Sequence, residues 1–260
     1  MQDLWQSGDP YEYYMGRWSR LVAEKFVDWL SPESGFQWLD VGCGTGALSE
    51  TIINRCAPAA VIAIDQSDGF LGTVQRRLGS KVNCKAGNAM SLPLDDATVN
   101  IAVSGLVLNF IPEPEKALSE MQRVTRNNGT VAVYIWDYAG QMEFLNIFWD
   151  AAVELDPAIS SLHEGRRFPD SNAEQLIETF KRAGISNIET IPLEIVTRFV
   201  DFDDYWKPFL GGQGPAPTYV AKLDDEDRNR LRESLAKRLP SSEDGSIALS
   251  ARAWAAKGTA

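Results

Sequence analysis

Apolar and polar residues recur along this chain in two periods. Residues 20–30 set Leu21, Val22, Phe26, Val27 and Leu30 on one helical stripe, and Ser31-Pro32 ends it. A short apolar run at 37–41 then leads into a glycine cluster, as a buried strand feeding a turn does, and a helix starts near Ala47. The same beat predicts strands at 61–65, 82–86, 100–108 and 131–136 and helices at 68–79 and 113–126. In the last of these helices Ala117, Leu118, Met121 and Val124 stand at helical spacing, and Asn127-Asn128-Gly129 is its stop and turn. Strands alternating with helices predict βαβ units and a parallel sheet.

After Asp137 the beat breaks. Residues 138–170 carry an aromatic stretch in which Phe144, Leu145, Phe148, Trp149 and Ala152 line a helical face, an insertion expected to form part of a lid. A helix near 171–183 ended by Gly184, a strand near 188–199, a charged amphipathic helix near 224–238 and a strand at 246–253 follow. The expected architecture is one α/β domain over residues 1–260: a doubly wound sheet of seven strands, mostly parallel with the last antiparallel. Helical cap insertions are expected at about 138–170 and 201–240.

Charge narrows the partners. With 25 Lys and Arg against 36 Asp and Glu, the net charge is −11, and no basic segment stands apart to displace counterions from a nucleic acid. A hydrophobic content of 44% with eight tryptophans suits a sizeable core. The longest apolar stretches, 61–64 and 101–108, fall far below the roughly 20 residues of a membrane helix. Asp3, Asp9 and Glu12 interrupt the place where a secretory leader would be apolar. Cys43, Cys56 and Cys84 lack the spacings of a zinc site or redox pair, so no metal and a reducing, cytoplasmic setting are expected.

The chemical signal is Leu-Asp-Val-Gly-Cys-Gly-Thr-Gly-Ala-Leu-Ser-Glu at 39–50, on the turn between the first strand and its helix. Glycines at 42, 44 and 46 let backbone approach a ligand, and the helix start points bare N–H groups at it. The second strand ends in Asp65, nineteen residues after the last glycine, where a carboxylate accepts hydrogen bonds from a ribose diol.

These residues resemble the class I S-adenosylmethionine (SAM)-dependent methyltransferases, in the small-molecule branch that includes the quinone-biosynthesis enzymes. The likeness runs in detail over residues 11–136. The family's D-x-G-x-G-x-G turn is matched by Asp40, Gly42, Gly44 and Gly46, and its acid after the second strand by Asp65, followed by Gln66. Its G-D/N-A segment is matched by Gly87-Asn88-Ala89, and its serine-containing fourth strand by the segment around Ser104. The usual R-x-L-K-P-G-G appears as Arg-Val-Thr-Arg-Asn-Asn-Gly at 123–129.

The resemblance implies a Rossmann-like fold, SAM as cofactor and methyl transfer to a small molecule. It places cofactor contacts at Asp40, Gly42, Gly44 and Thr45 in the turn, at Asp65 and Gln66, at Asn88 and Ala89, and at Ser104. In relatives a segment like Tyr-Glu-Tyr-Tyr-Met-Gly-Arg-Trp folds over the cofactor, which adds Tyr14 and Arg17 as candidates. The alternative for Tyr11, Tyr14 and Trp18 is packing of the first helix.

No catalytic residue stands out. Cys43 is expected to fill space in the turn, having nothing basic beside it in sequence. His163, the single histidine, is expected to be a solvated loop residue beside Glu164 and Arg166 and not a general base. The aromatic supply of Phe144, Phe148, Trp149, Tyr205, Trp206 and Phe209 points to an apolar or planar acceptor. Two rivals stand: a SAM-binding partner without catalysis, and a nicotinamide-dependent oxidoreductase. The second would need G-x-G-x-x-G, where this chain has G-x-G-x-G.

Overall fold

The computed structural model of the protein describes residues 12–211 and 214–260. Tyr11, Asp3, Asp9, Gly212 and Gln213 lie outside them. Seven strands form one sheet: β1 (Gln37–Val41), β2 (Ala60–Asp65), β3 (Asn83–Ala86), β4 (Val99–Gly105), β5 (Thr125–Trp136), β6 (Ser186–Phe199) and β7 (Ile247–Thr259). Their order is β3-β2-β1-β4-β5-β7-β6. The pairings β1 with β2 and β4, β2 with β3, and β4 with β5 are parallel, and β5 with β7 is antiparallel.

The described residues divide into two compact units. One, the sheet unit, holds Trp18–Trp136, Ser171–Leu193 and Ala253–Ala260. Its core packs Leu39, Val41, Ile64, Val133 and Phe180 with Leu118, Met121 and Val124 of the helix Pro114–Val124. The other, the aromatic unit, holds the described residues up to Arg17, then Asp137–Asp170 and Glu194–Arg252.

Several boundaries differ from the pattern, each for a visible reason. On the helix Arg17–Leu30 the buried stripe is Trp18, Val22, Ala23, Phe26 and Val27. Leu21 is 40% exposed: the stripe starts one turn earlier, at Trp18, which leaves Leu21 on the flank. β4 stops at Gly105 because Leu106 takes a left-handed φ of 63° and Leu108–Phe110 turns tightly. The helix expected to 126 ends at Val124, since Thr125 already pairs with Val99. Asn127-Asn128-Gly129 is therefore a bulge within β5, with Asn128 at φ 65°. A Cβ on Gly129 would lie 2.5 Å from the Asn100 carbonyl oxygen, so crowding demands glycine there. β7 runs on to Thr259, pairing Ala253–Thr259 with Thr130–Trp136, although alanines and glycine weaken its strand signal.

In the aromatic unit Phe144, Phe148, Trp149, Tyr205, Trp206 and Phe209 are all buried. Phe148 stacks on Phe209 with centroids 4.4 Å apart, and the Tyr205 hydroxyl donates to the Phe144 carbonyl at 2.8 Å. These rings fill each other's space, so the residues expected to face an acceptor form this unit's core. Among the described residues, no helix is long and apolar enough to cross a membrane.

Candidate functional site

β1 and β2 run side by side with Asp40 opposite Ala63 and Val41 opposite Ile64, so both strands end at one level. From there Gly42 and Cys43 donate their N–H groups to the Ile64 carbonyl at 2.7 and 3.0 Å, which folds the turn across the end of β2. Gly42, Gly44 and Gly46 take φ of 71°, 51° and 87°, the left-handed region that favours glycine. They differ in what surrounds them. A Cβ on Gly42 would come 2.7 Å from Val107 Cγ1, and one on Gly46 3.1 Å from Val74 Cγ2. A Cβ on Gly44 would meet nothing within 4 Å. Two glycines thus serve packing, and the middle one borders open space.

Asp65 faces the same turn. Its Oδ2 accepts from Gly44 N–H and its Oδ1 from Ser67 N–H, both at 2.9 Å. Each oxygen keeps a further lone pair for a ligand. Burial raises its pKa above the ordinary carboxylate value, against the lowering effect of these N–H donors. Asp40 is deeper. Its Oδ2 accepts from the Ser49 hydroxyl at 2.6 Å, while its buried Oδ1 has no partner among the described residues. Burial pushes its pKa up to about 7, opposed by the Ser49 hydrogen bond and assisted by the negative charge of Asp65.

The other candidates divide. Thr45 is buried, and its carbonyl accepts from Arg77 Nη1 at 2.8 Å. Gly87 N–H donates to the Asp65 backbone carbonyl at 3.0 Å, which brings Asn88 beside the turn. Asn88 is exposed, and its Oδ1 accepts from Met90 N–H at 2.9 Å, so its amide N–H groups are the part left for a ligand. Gln66 is exposed, whereas Ala89 packs in the core. The Ser104 hydroxyl donates to the Val41 carbonyl at 2.8 Å and ties β4 to the end of β1.

In the aromatic unit, Arg17 Nη1 donates to both carboxylate oxygens of Asp204 at 3.0 and 3.1 Å. Its guanidinium also lies 4.9 Å from the centroid of Phe199. Tyr14 is buried edge-on to Phe144 and Phe209, and its hydroxyl has no partner among the described residues. His163 is not a solvated loop residue: its side chain is 12% exposed, stacks on Trp149, and accepts from Gly165 N–H through Nδ1 at 3.0 Å. It caps the short helix Glu164–Arg167, and burial lowers its pKa, opposed by Asp150. Burial also pushes the Cys43 thiol up, which removes it as a nucleophile. Among the described residues no group of His, Cys, Asp and Glu could hold a metal ion.

One residue in the sheet unit stands out only in the structure. Asn109, two residues beyond the Val107 that packs on Gly42, buries both ends of its carboxamide without a partner among the described residues. A buried amide so placed is costly unless something pairs with it. Its signal in the sequence, a polar residue between Leu108 and Phe110, is too common to be read alone.

This strand order, with a glycine turn closing β1 and an acid closing β2, is that of a doubly wound α/β domain whose ligand crevice lies at the ends of the strands. Residues 39–133 match the family described as "Methyltransferase domain". Demethylmenaquinone methyltransferase of Renibacterium salmoninarum is 33% identical over 145 residues, covering 56% of this chain and 58% of that protein. The chain thus spans less than two thirds of that relative's length. Phosphoethanolamine N-methyltransferase 2 of Haemonchus contortus, solved with S-adenosyl-L-methionine, superposes with a TM-score of 0.58 at 17% identity, over 96% of this chain and 56% of that one. The cyclase SpnF superposes with a TM-score of 0.52 at 19% identity, over 94% of this chain and 80% of that one. These two likenesses are likenesses of fold.

Proposed function

We propose that the chain transfers a methyl group from SAM to a small acceptor of apolar or planar character. The observation that carries this reading is the open space at Gly44, bordered by the Asp65 carboxylate. A ligand bearing a diol fits it: Asp65 accepts from both hydroxyls, and Gly44 lets the ligand approach the backbone. The unpartnered Oδ1 of Asp40 and the N–H groups of Asn88 supply one further acceptor and one donor for a large polar ligand.

Bound SAM supplies a methyl group on a sulfonium centre already activated by its charge. What remains for the protein is alignment and exclusion of water. Asn109 is a candidate to orient the acceptor, since its carboxamide can donate and accept at once. Tyr14 keeps an unpartnered hydroxyl, whereas Arg17 would have to exchange Asp204 for a cofactor carboxylate. The quinone named in the relative from Renibacterium supports a small planar acceptor, and the charge of −11 opposes a nucleic acid. Three free thiols suit a reducing, cytoplasmic setting.

Two measurements in sequence test the reading. SAM or S-adenosylhomocysteine should raise the melting temperature, by a stabilisation of about 2.7 kcal/mol at a hundredfold excess over Kd. Gly44→Val should abolish this shift while keeping a cooperative melt. Isotopically labelled SAM with a metabolite extract should then yield a labelled small molecule by mass spectrometry. Binding without transfer would favour the non-catalytic rival, and stabilisation by NADH instead of SAM the oxidoreductase.

A further inference from the structure

The sheet has two edges of opposite character. The β3 edge is four residues long, with Lys85 in its middle, the kind of edge that resists further pairing. The β6 edge belongs to a strand of fourteen residues. Along its last part, within the aromatic unit, Ile195, Thr197 and Phe199 are buried while Glu194, Val196 and Arg198 are exposed. Val196 is 49% exposed, and Val200, just past the strand, 76%. Large β-branched residues so placed on an open edge are what a pairing strand requires.

The charges on this edge are self-complementary. Two copies of one edge strand related by a two-fold axis pair antiparallel, with residue numbers of facing pairs adding to a constant. Centring the axis on Val196 sets Val196 against its own copy and Glu194 against Arg198, twice. A shift of one residue either way sets Val196 against Arg198 or against Glu194 and loses both charge pairs. Neither Glu194 nor Arg198 forms an ion pair among the described residues, so both are available. Charges on an edge can also serve to repel a neighbour, but an opposite pair two residues to each side of an exposed valine attracts its own copy.

We propose that the edge Glu194–Phe199 pairs antiparallel with the same edge of a second copy of this chain, centred on Val196, to join two sheets in a homodimer. A strand-edge interface is small, so the dimer is a concentration-dependent one. Sedimentation of the whole chain from micromolar to near-millimolar concentration should show the mass of one chain rising to that of two. Glu194→Arg and Arg198→Glu, each alone, place like charges opposite each other and should raise the dimer dissociation constant about tenfold or more. An equimolar mixture of these two variants should dimerise again, because each chain then offers the charge the other lacks, and so should the double reversal in one chain. Both substitutions fall on exposed side chains, and a melting curve checks the fold. A chain that stays monomeric throughout overturns the proposal. So does a dimer that single reversals leave unchanged, or one that the mixture fails to restore.

Discussion

The glycine turn of the sheet unit and the helical core of the aromatic unit use similar residues to opposite ends. In the turn, polar groups are left incomplete: Asp40 Oδ1 has no partner, Asp65 has acceptor capacity beyond its two backbone donors, and Gly44 faces open space. In the aromatic unit the charged candidates complete one another. Arg17 is held by Asp204, His163 by Gly165 and Asp150, and Trp149 donates through Nε1 to the buried Glu164 at 2.6 Å. A buried polar group left without a partner costs stability, and it persists where a ligand completes it. Under the proposed function the ligand belongs at the turn, and the paired residues keep structural roles. Tyr14 departs from this pattern, its buried hydroxyl having no partner among the described residues.

The largest effect that would break this contrast is in the pH dependence of stability. Asp40 is pushed up to about 7 by burial, whereas in the unfolded chain it titrates near its ordinary value of about 4. Between those values the folded state holds the extra proton. The stability this contributes is fully present below the unfolded value and is lost as pH rises through about 7. The shift amounts to roughly 4 kcal/mol at about 1.4 kcal/mol per unit. Asp65, also raised, acts in the same sense, while His163, lowered, acts oppositely below its ordinary value. Denaturant unfolding of the ligand-free protein from pH 5 to pH 8 should show about 3 kcal/mol of this loss, and Asp40→Asn should remove most of it. Equal slopes in the parent and Asp40→Asn would mean that the turn carries no strained acid.

Asp65→Ala comes next. If the turn binds the ribose of SAM, this change removes acceptors for both hydroxyls, and affinity should fall by about 2–4 kcal/mol for SAM and S-adenosylhomocysteine alike. Asp65→Asn keeps a carbonyl and should lose less. Because Gly44 and Ser67 also donate to this carboxylate, the ligand-free melting temperature should fall as well. Isothermal titration on the folded fraction separates the two effects. Unchanged affinity in Asp65→Ala would leave the open space at Gly44 without its diol acceptor.

What was legible in the sequence follows the same division. The strand and helix order, the left-handed glycines and the acid closing β2 rest on local rules, periodicity and turn chemistry, which a single segment displays by itself. Which glycine borders open space is not local: Val107 and Val74, distant in sequence, fill the places beside Gly42 and Gly46. The partners of Arg17 and His163 are distant in the same way, with Asp204 lying 187 residues from Arg17. The bulge at Asn127–Gly129 reads as a plain stop because the pairing of Thr125 with Val99 overrides the turn signal. The segment around Asn109 is visible in the sequence, but the burial of its carboxamide is set by distant packing and is not.

The smallest effect concerns His163, and it tests the contrast from the other side. Its Nδ1 is committed to Gly165 N–H, and burial favours the neutral ring, so Nδ1 serves as an N-cap acceptor and not as a base. His163→Ala should then cost about 0.5–2 kcal/mol of folding stability, the usual range for a lost cap. His163→Asn should recover part of that cost, since its side-chain carbonyl can reach the same N–H. Methyl transfer to whichever acceptor the labelling experiment finds should stay within a few-fold of the parent in both variants. A general base contributes about 100- to 10,000-fold. If both variants lose turnover on that scale with unchanged SAM affinity and His163→Asn regains stability but not activity, then His163 acts on the acceptor. The aromatic unit would in that case share in the chemistry, and the division between the two regions would fail.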